Sequence, residues 1–261
     1  MSHILTEVRD AVGTITIDRR ERFNSLDAET ARDLRRAGLR MARDFGVRAV
    51  VLRGAGGIFC SGADLKEIRN ATPSYGDAFK EILEYIHSTI SEIRRAAKPF
   101  IASVDGIAAA GGFGLAMSCD LVIASDRAAF EWAYAKTGLT GAESSTFMLP
   151  RLIGLRRALE MLFLNPRLDA ARALEIGLIN RVVPAPELDE EVHRIAMQLA
   201  AGPVEAFGIA KELLNQAAGM DRLDLHLDRE LEQLARIADG AAFAEGLDAF
   251  FDKRAPKFGA A

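Results

Sequence analysis

The sequence contains few of the residues that build metal centres and disulfide frameworks. It has two cysteines and four histidines in 261 residues, and Cys60 and Cys119 lie far apart without a CxxC pattern. This spacing argues against a zinc site or a set of disulfide bonds, and it favours buried thiols in a reducing compartment. We therefore expect no bound metal and a cytoplasmic protein.

The sequence also has no excess of positive charge and no long apolar run. The formal net charge is -4, whereas proteins that bind nucleic acid usually carry an excess of Lys and Arg. No stretch approaches the roughly 18 consecutive apolar residues that a membrane span needs, and the first residues show no secretory signal. We expect neither nucleic acid nor membrane as a partner of this chain.

Alternating strands and helices predict an α/β fold with mostly parallel pairing. Residues 4–8 and 12–17 carry β-branched side chains in near alternation, which is typical of a β-hairpin. Residues 75–96 have apolar side chains at helical spacing. Beyond about residue 149 the pattern is chiefly helical. The other predicted strands are residues 47–53, 100–104, 121–124 and 178–183, and the predicted late helices are residues 187–200, 204–218, 222–238 and 241–252.

Two glycine-containing loops stand where a predicted strand passes into a helix. The first ends in Ser61-Gly62-Ala63-Asp64, where Asp64 is placed to cap the next helix, and the second contains Ala110-Gly111-Gly112. Small residues let a ligand approach the first backbone N–H groups of a helix, which have no intrahelical partner. Two such groups that converge on one point would stabilise a negatively charged oxygen.

Other interpretations of the same glycines are weaker. A dinucleotide-binding loop needs GxGxxG, but Gly112 and Gly114 are followed by Met117 where the third small residue belongs. A P-loop and the GxSxG motif of serine hydrolases are both absent. The remaining structural interpretation is that these glycines serve tight turns and close helix packing.

Both loops resemble the signatures of the crotonase (enoyl-CoA hydratase/isomerase) superfamily. The first signature matches Gly54-Ala-Gly-Gly-Ile-Phe-Cys-Ser-Gly-Ala-Asp-Leu65, and the second matches Val104-Asp105-Gly106 through Ala110-Gly111-Gly112-Phe113-Gly114 to Cys119-Asp120. The resemblance continues in order over nearly the whole chain. Its other segments are residues 18–26, 149–154, 173–183 and 251–258.

This resemblance implies a spiral of ββα turns followed by a helical C-terminal region. On that basis, residues 1–200 would form the crotonase-like α/β core and residues 201–261 a helical oligomerisation region. The implied assembly is a homotrimer or a dimer of trimers. The implied substrate is an acyl-CoA thioester, so coenzyme A is part of the substrate and no separate cofactor is expected.

The resemblance also assigns roles to individual residues. The oxyanion donors would be the backbone N–H groups of Ser61 and Gly111, and the adenine end of CoA would lie along the segment that follows Ser61. Basic side chains would contact the CoA phosphates. The full set of implied substrate-binding residues is Arg22, Ser61, Gly62, Ala63, Asp64, Leu65, Gly112, Gly114, Trp132, Lys253 and Lys257.

Enolate chemistry also needs a group that moves a proton. Hydratases of the family use two glutamates, and the matching positions here are Gly114 and Tyr134, neither of which carries a carboxylate. Isomerase and dehalogenase branches have an aspartate at the position of Ala142. Glu143, one residue later, is therefore the best candidate for the catalytic acid/base, and Tyr134 could donate a hydrogen bond or a proton.

A structural role is the alternative to a catalytic role for Glu143. Thr140 and Glu143 fit a capping box, in which the glutamate side chain reaches back to the N–H of the residue that begins the helix. If residues 130–134 are extended, Glu131 points away from the face that holds Tyr134. His87, on the predicted helix 75–96, could reach the acyl pocket.

Double-bond isomerisation is the favoured reaction, because it needs one acid/base group whereas hydration in this family uses two. The alternatives are a CoA-binding homologue without turnover and an acyl-CoA hydrolase or dehalogenase, which would need a carboxylate nucleophile. The acyl group stays open. The side chains expected to shape its pocket, Phe79, Leu83, Trp132 and Tyr134, suit either a fatty or an aromatic group.

Overall fold

The computed structural model describes residues 2–71 and 74–259. Its strands are β1 (Ile4–Arg9), β2 (Val12–Ile17), β3 (Ala49–Gly54), β4 (Phe100–Val104), β5 (Ile107–Ala109), β6 (Leu121–Ser125), β7 (Ala129–Glu131), β8 (Leu168–Asp169) and β9 (Arg181–Val183). Its α-helices are α1 (Ala28–Arg43), α2 (Leu65–Asn70), α3 (Tyr75–Arg95), α4 (Gly111–Ser118), α5 (Ser145–Ile153), α6 (Leu155–Leu164), α7 (Ala170–Glu175), α8 (Leu188–Ala201), α9 (Val204–Ala217), α10 (Leu223–Ala238) and α11 (Ala241–Phe251).

A six-stranded sheet with the order β1-β2-β3-β4-β6-β9 forms the centre of the fold. Strands β1 and β2 pair antiparallel as the predicted hairpin, and the remaining neighbours in this sheet pair parallel. The predicted α/β fold with a helical C-terminal region is confirmed. A second, three-stranded sheet, β5-β7-β8, was not predicted, because strands of two or three residues are too short to show alternation.

The central strands of the large sheet are buried on both faces, and the alternation of their side chains decides which residues meet which helices. Val50 and Leu52 of β3 join the main core, whereas Val51 between them faces the cluster formed with α8. Residues of β4 and β6 divide in the same way, with Ile101 and Ile123 on the α8 side. Strands that are buried on both faces have continuous apolar runs in their sequences, and such runs predicted these strands.

The C-terminal helices differ in how they contact the rest of the molecule. Helix α10 packs along α3, and its Leu227 and Leu234 belong to the same core as the sheet. Helix α9 lies outside that core, with only Gly208 buried. The division at residue 200 stays a prediction. Within the described residues, no helix is both long and apolar enough to cross a membrane.

The late strand predicted over residues 178–183 is too long, because β9 begins at Arg181. The preceding residues form a turn after α7. The N–H of Leu178 donates to the carbonyl of Ala173 at 2.9 Å, and the Asn180 side chain accepts from the N–H of Val122 at 2.8 Å. Leu178 is buried by this turn, which explains its apolar character without a strand.

Asn24 connects the segment after β2 to the first glycine loop. Its buried side chain accepts from the N–H of Arg19 at 2.8 Å and donates to the carbonyls of Ala55 and Ile58 at 3.0 and 2.7 Å. The residue has a φ of 53°, in the left-handed region that asparagine tolerates better than most side chains. Asn24 therefore positions the loop that leads to Ser61.

Replacement of Asn24 by alanine removes three hydrogen bonds and leaves buried polar groups without partners. We expect Asn24→Ala to lower the free energy of unfolding by about 2 kcal/mol or more. Urea denaturation followed by the fluorescence of the single tryptophan, Trp132, measures this change. The matched control is Asn70→Ala at the exposed end of α2, and equal losses in the two variants would contradict the role of Asn24.

Candidate active site

A pocket of about 440 Å³ opens where the two glycine loops meet α3, α10 and α11. Ser61, Ala63 and Gly111 line it from the loops, and Tyr134 and Glu143 line it from the chain between β7 and α5. Most of the remaining wall is apolar, whereas the basic side chains among the lining residues reach solvent. The large apolar lining residues are Phe23, Leu65, Phe79, Leu139, Leu234, Phe250 and Phe251, and the basic ones are Arg22, Lys66 and Lys136.

The first loop presents a different backbone donor from the one predicted. The N–H of Ser61 donates to the carbonyl of Phe23 at 3.2 Å, which removes Ser61 as a donor to a ligand. Ala63 is two residues later, and its N–H donates to no acceptor among the residues that the structure describes. The neighbouring N–H of Asp64 is paired with the carbonyl of Leu26. Ala63 therefore replaces Ser61 as the candidate oxyanion donor of this loop.

The second candidate donor is the N–H of Gly111, the first residue of α4. Its position in the first helical turn leaves it without an intrahelical acceptor. A Cβ atom added to Gly62 would lie 3.0 Å from the nitrogen of Gly111, so the two loops are in direct contact. The preceding Ala110 has a φ of 46°, and this left-handed conformation turns the chain sharply into the helix.

Gly112 and Gly114 serve packing, and neither lines the pocket. A Cβ atom on Gly112 would lie 2.1 Å from the carbonyl oxygen of Cys60, and one on Gly114 would lie 2.1 Å from that of Glu143. Trp132 was also expected to bind substrate, but it lies behind Tyr134 with ring centroids 5.0 Å apart. In this structure none of these three residues lines the pocket, and each supports the pocket wall from behind.

Glu143 is the acidic group that the structure brings to the second loop. Its side chain is buried, and a Cβ atom added to Gly111 would lie only 2.7 Å from Oε1 of Glu143. The other carboxyl oxygen, Oε2, forms a short hydrogen bond with the hydroxyl of Tyr134. The carboxyl group therefore lies between the tyrosine and the start of α4, beside the Gly111 N–H.

Burial raises the pKa of Glu143 to about 8, the hydrogen bond from Tyr134 opposes this shift, and the charge of Glu230 adds to it. The Tyr134 hydroxyl can bond to either form of Glu143, because it can donate to the carboxylate or accept from the carboxylic acid. The tyrosine oxygen lies 3.2 Å from the carbonyl of Ala142, which can only accept. When Tyr134 donates to that carbonyl, the proton shared with Glu143 must come from the carboxylic acid.

The capping-box prediction for Thr140 and Glu143 is wrong. Helix α5 begins at Ser145, and Glu143 and Ser144 before it have φ values of 50° and 63°. The N–H of Glu143 donates to Nε2 of His87 at 3.3 Å. The start of α5 is instead capped by Glu230, which is remote in sequence and was not identified from it.

His87 does not line the acyl pocket, because it lies behind the Glu143 turn. Burial lowers the pKa of His87 to about 4, so its ring is neutral. Since Nε2 accepts the N–H of Glu143, the ring proton is on Nδ1. The histidine therefore supports the turn.

The carboxylate of Glu131 has partners of its own. Oε1 accepts from Nδ2 of Asn165 at 2.9 Å and forms an ion pair with Lys136. Glu131 contributes to the pocket wall although it was expected to point away from it. Its carboxylate is nevertheless held by the amide and the ammonium group, which leaves Glu143 as the better candidate for proton transfer.

The basic residues expected to contact CoA divide into two groups. Arg22 lines the pocket and donates to Asp64 at 2.9 and 3.1 Å. Burial raises the pKa of Asp64, but hydrogen bonds from Arg19 and Arg22 outweigh it and hold that pKa below its usual range. Asp64 also accepts from the N–H of Lys66 at 3.0 Å, which confirms its role as the cap of α2.

Lys253 and Lys257 do not line the pocket of this single chain. Both lie on the exposed segment after α11. Lys66 and Lys136, which do line it, were not identified from the sequence, because an isolated exposed lysine carries no pattern that distinguishes it from other surface residues.

The fold and site together define an α/β enzyme with a buried carboxylic acid beside two glycine-bounded loops. A sequence profile of the enoyl-CoA hydratase/isomerase family matches residues 7–261. The chain therefore belongs to the enoyl-CoA hydratase/isomerase family, the crotonase superfamily, and is an enzyme of the lyase or isomerase type.

Individual relatives agree with this assignment. The chain is 34% identical over 252 residues to 4-chlorobenzoyl coenzyme A dehalogenase-2 of Arthrobacter sp, covering 96% of this chain and 91% of the relative. It is 34% identical over 260 residues to 1,2-epoxyphenylacetyl-CoA isomerase of Escherichia coli (strain K12), covering 99% and 98%. A crystal structure of an enoyl-CoA hydratase from Mycobacterium avium subsp. paratuberculosis K-10 superposes with a TM-score of 0.89 at 32% identity, covering 99% of each chain.

Position 114 has no room for a side chain, because the backbone of Glu143 packs directly against Gly114. We expect Gly114→Ala to destabilise the protein by roughly 1–3 kcal/mol, because the added Cβ overlaps the backbone of Glu143. Gly114→Glu combined with Tyr134→Glu, which introduces both family glutamates, should also fail to produce hydration of 2-hexenoyl-CoA. Thermal unfolding and the absorbance of the conjugated thioester measure the two effects.

Gly38→Ala on α1 is the matched control for Gly114→Ala, because its added Cβ would meet nothing closer than 3.4 Å. Equal thermal stability of the Gly114→Ala variant and the wild-type protein would contradict the steric argument. Rapid hydration by the double variant would show that the Glu143 turn can be displaced without harm.

Proposed function

We propose that the protein is an acyl-CoA isomerase in which Glu143 carries the proton and the N–H groups of Ala63 and Gly111 bind the thioester oxygen. The observation that carries this proposal is the contact between Glu143 and Gly111, where an added Cβ atom would lie 2.7 Å from Oε1. A thioester whose oxygen is bound at the Gly111 N–H would therefore have its α-carbon close to the carboxyl group of Glu143.

Two backbone donors would stabilise the charge that develops in the reaction. The two loops are in contact at Gly62 and Gly111, so the N–H groups of Ala63 and Gly111 can converge on one carbonyl oxygen. When the α-proton leaves, negative charge moves onto that oxygen. In a site shielded from water, the hydrogen bonds from these fixed donors then become stronger. Removal of one such donor typically lowers the rate by about 10²–10³-fold.

The proton steps need one group. In its ionised form, Glu143 removes a proton from Cα of a 3-enoyl-CoA, and the electron pair of that C–H bond enters a dienolate whose negative charge rests on the thioester oxygen. The carboxylic acid so formed returns the proton to Cγ. The double bond moves from C3–C4 to C2–C3, no atom is gained or lost, and Glu143 is again ionised.

The pocket walls support an acyl-CoA as the ligand. Its apolar part, which includes Phe79 and Leu139, suits the acyl chain, and Arg22, Lys66 and Lys136 would meet the phosphates of CoA. Several relatives carry names that specify coenzyme A thioesters. The proposed chemistry needs no cofactor besides the CoA of the substrate.

Hydration is less well supported. It would need a second group to hold and activate water, and neither Gly114 nor Tyr134 supplies a carboxylate. Burial raises the pKa of Tyr134 well above its ordinary value, with the charge of Glu143 adding to the shift, so the phenol is not a base. Tyr134 instead orients the Glu143 acid through their hydrogen bond.

Glu143→Gln tests the proposal directly. We expect wild-type protein to convert 3-hexenoyl-CoA into 2-hexenoyl-CoA and to exchange the α-hydrogens of hexanoyl-CoA with D₂O. The variant keeps the size of the side chain but cannot accept the proton, so kcat should fall by about 10²–10⁴-fold. Absorbance of the conjugated thioester follows the first reaction, and mass spectrometry follows the exchange.

Glu131→Gln is the matched control, because Glu131 is also in the pocket wall but its carboxylate is bonded elsewhere. We expect it to retain activity. Full activity of Glu143→Gln would show that another group moves the proton, and tight acyl-CoA binding without any turnover would favour a non-catalytic homologue.

The pH dependence of the exchange reaction is a separate test of Glu143 as the base. Since the pKa of Glu143 is about 8 and the base must be ionised, kcat/KM for α-hydrogen exchange should rise about tenfold per pH unit up to that value and then level.

We also propose that the chain assembles as a homotrimer, alone or as a dimer of trimers. Large apolar side chains are exposed on α6 and α9. They include Phe163 and Leu164, at 70% and 74% exposure, and Leu213 and Leu214, at 60% and 71%. Exposed apolar groups in this number mark contact surfaces more often than free surface.

Substitution of Phe163 and Leu164 by glutamate should disrupt this assembly, because charged groups would be buried in an apolar interface. Size-exclusion chromatography with light scattering should give about three or six times the 28.3 kDa chain mass for the wild type and the monomer mass for the variant. Phe45→Glu is the control, since Phe45 is also exposed but lies in the connection between α1 and β3. A monomeric wild-type protein would contradict the proposal.

A further inference from the structure

Glu230 is a buried carboxylate that the proposed proton transfer does not use. It lies on α10 with 5% exposure, and its neighbours along the helix, Leu227 and Leu234, are core residues. A buried carboxylate is unfavourable unless several hydrogen-bond donors satisfy it. Its donors therefore show what the residue does in the fold.

The partners of Glu230 are the first backbone groups of α5. Oε2 accepts from the N–H of Ser144 at 2.8 Å, and Oε1 accepts from the N–H of Thr146 at 3.0 Å and from the Thr146 hydroxyl. Nε2 of His226, one turn earlier on α10, lies 2.8 Å from the same hydroxyl. A side chain from a distant helix thus occupies the place that an N-cap residue of α5 would fill.

The residue just before this cap is Glu143. Glu143 and Ser144 are consecutive non-glycine residues in the left-handed region, a conformation that persists only where the surroundings hold it. One N–H of this turn is held by His87 of α3 and the next by Glu230 of α10. Since α3 and α10 pack along each other, the two anchors belong to one rigid pair of helices.

We propose that Glu230 is a positioning residue: by accepting the N–H groups of Ser144 and Thr146, it holds the turn that directs the Glu143 carboxyl group toward Gly111. This inference rests on the proposed role of Glu143 as the proton carrier. Glu230 itself touches neither substrate nor reacting atoms. Its loss should therefore change the rate of the chemical step more than the binding of the thioester.

Glu230→Gln is the variant of choice, because glutamine has the same size but offers only one acceptor oxygen and turns an NH₂ group toward a backbone donor. With hexanoyl-CoA in D₂O, we expect kcat for α-hydrogen exchange to fall at least tenfold while KM stays within about twofold. Hydrogen–deuterium exchange of the backbone, measured by mass spectrometry on the peptide that covers residues 140–147, should become faster. Thermal unfolding verifies that the variant is folded.

Glu232→Gln is the matched control, since Glu232 is an exposed glutamate on the same helix. It should match the wild type in both measurements. The variant Glu143→Gln/Glu230→Gln should be no slower than Glu143→Gln alone, because a positioning residue has nothing to position once the proton carrier is gone.

The possible results separate the two proposals. If Glu143→Gln is inactive and Glu230→Gln keeps wild-type kcat, or loses activity through KM with unchanged exchange of residues 140–147, the positioning role is overturned and the proposed function stands. If Glu143→Gln keeps full activity, the proposed function fails and this inference fails with it. A further loss in the double variant would also overturn the positioning role.

Discussion

Close backbone contact between the Glu143 turn and helix α4 is the constraint on which the pocket depends. Glycine at positions 111 and 114 lets the turn lie directly on the helix, where any side chain would overlap its atoms. The turn brings its own carboxyl group into the space beside the first N–H of the helix. The same contact leaves no room for a carboxylate at position 114. The packing of this turn against α4 therefore excludes an acid at Gly114 and positions the acid of Glu143.

Holding an acid at this contact has structural and electrostatic consequences. The turn adopts a left-handed conformation at two successive residues, and the hydrogen bonds that its N–H groups donate to side chains of α3 and α10 offset that strain. Burial stabilises the neutral form of the acid, and a second buried carboxylate, Glu230, adds to this effect. Tyr134 works in the other direction, because its hydroxyl can donate to the ionised form. The pocket therefore holds an acid whose pKa of about 8 is close to neutral pH, which suits the proton transfer proposed for Glu143.

Several features of the site were accessible from the sequence, and the errors have a common origin. The structure brings Ser61, Gly111 and Glu143, all named from the sequence, to the same pocket. The candidate donor of the first loop was placed at Ser61, but the carbonyl of Phe23, from a segment distant in sequence, occupies the Ser61 N–H and leaves Ala63 as the candidate. The capping box at Thr140 was locally consistent but wrong for the same reason. Glu230, 86 positions from Ser144, supplies the cap from another helix.

The sequence by itself determined the α/β fold and the two loops, because apolar periodicity and glycine spacing are local properties that the chain order preserves. The family came from the resemblance of both loops, and of segments along nearly the whole chain, to the crotonase superfamily. The sequence also excluded carboxylates at positions 114 and 134. Only the tertiary structure decided which backbone N–H groups remain available and where the Glu143 carboxyl group points. Those outcomes depend on contacts between segments that are remote in the chain, and no local pattern records which carbonyl or carboxylate a folded neighbour will bring to a given N–H group.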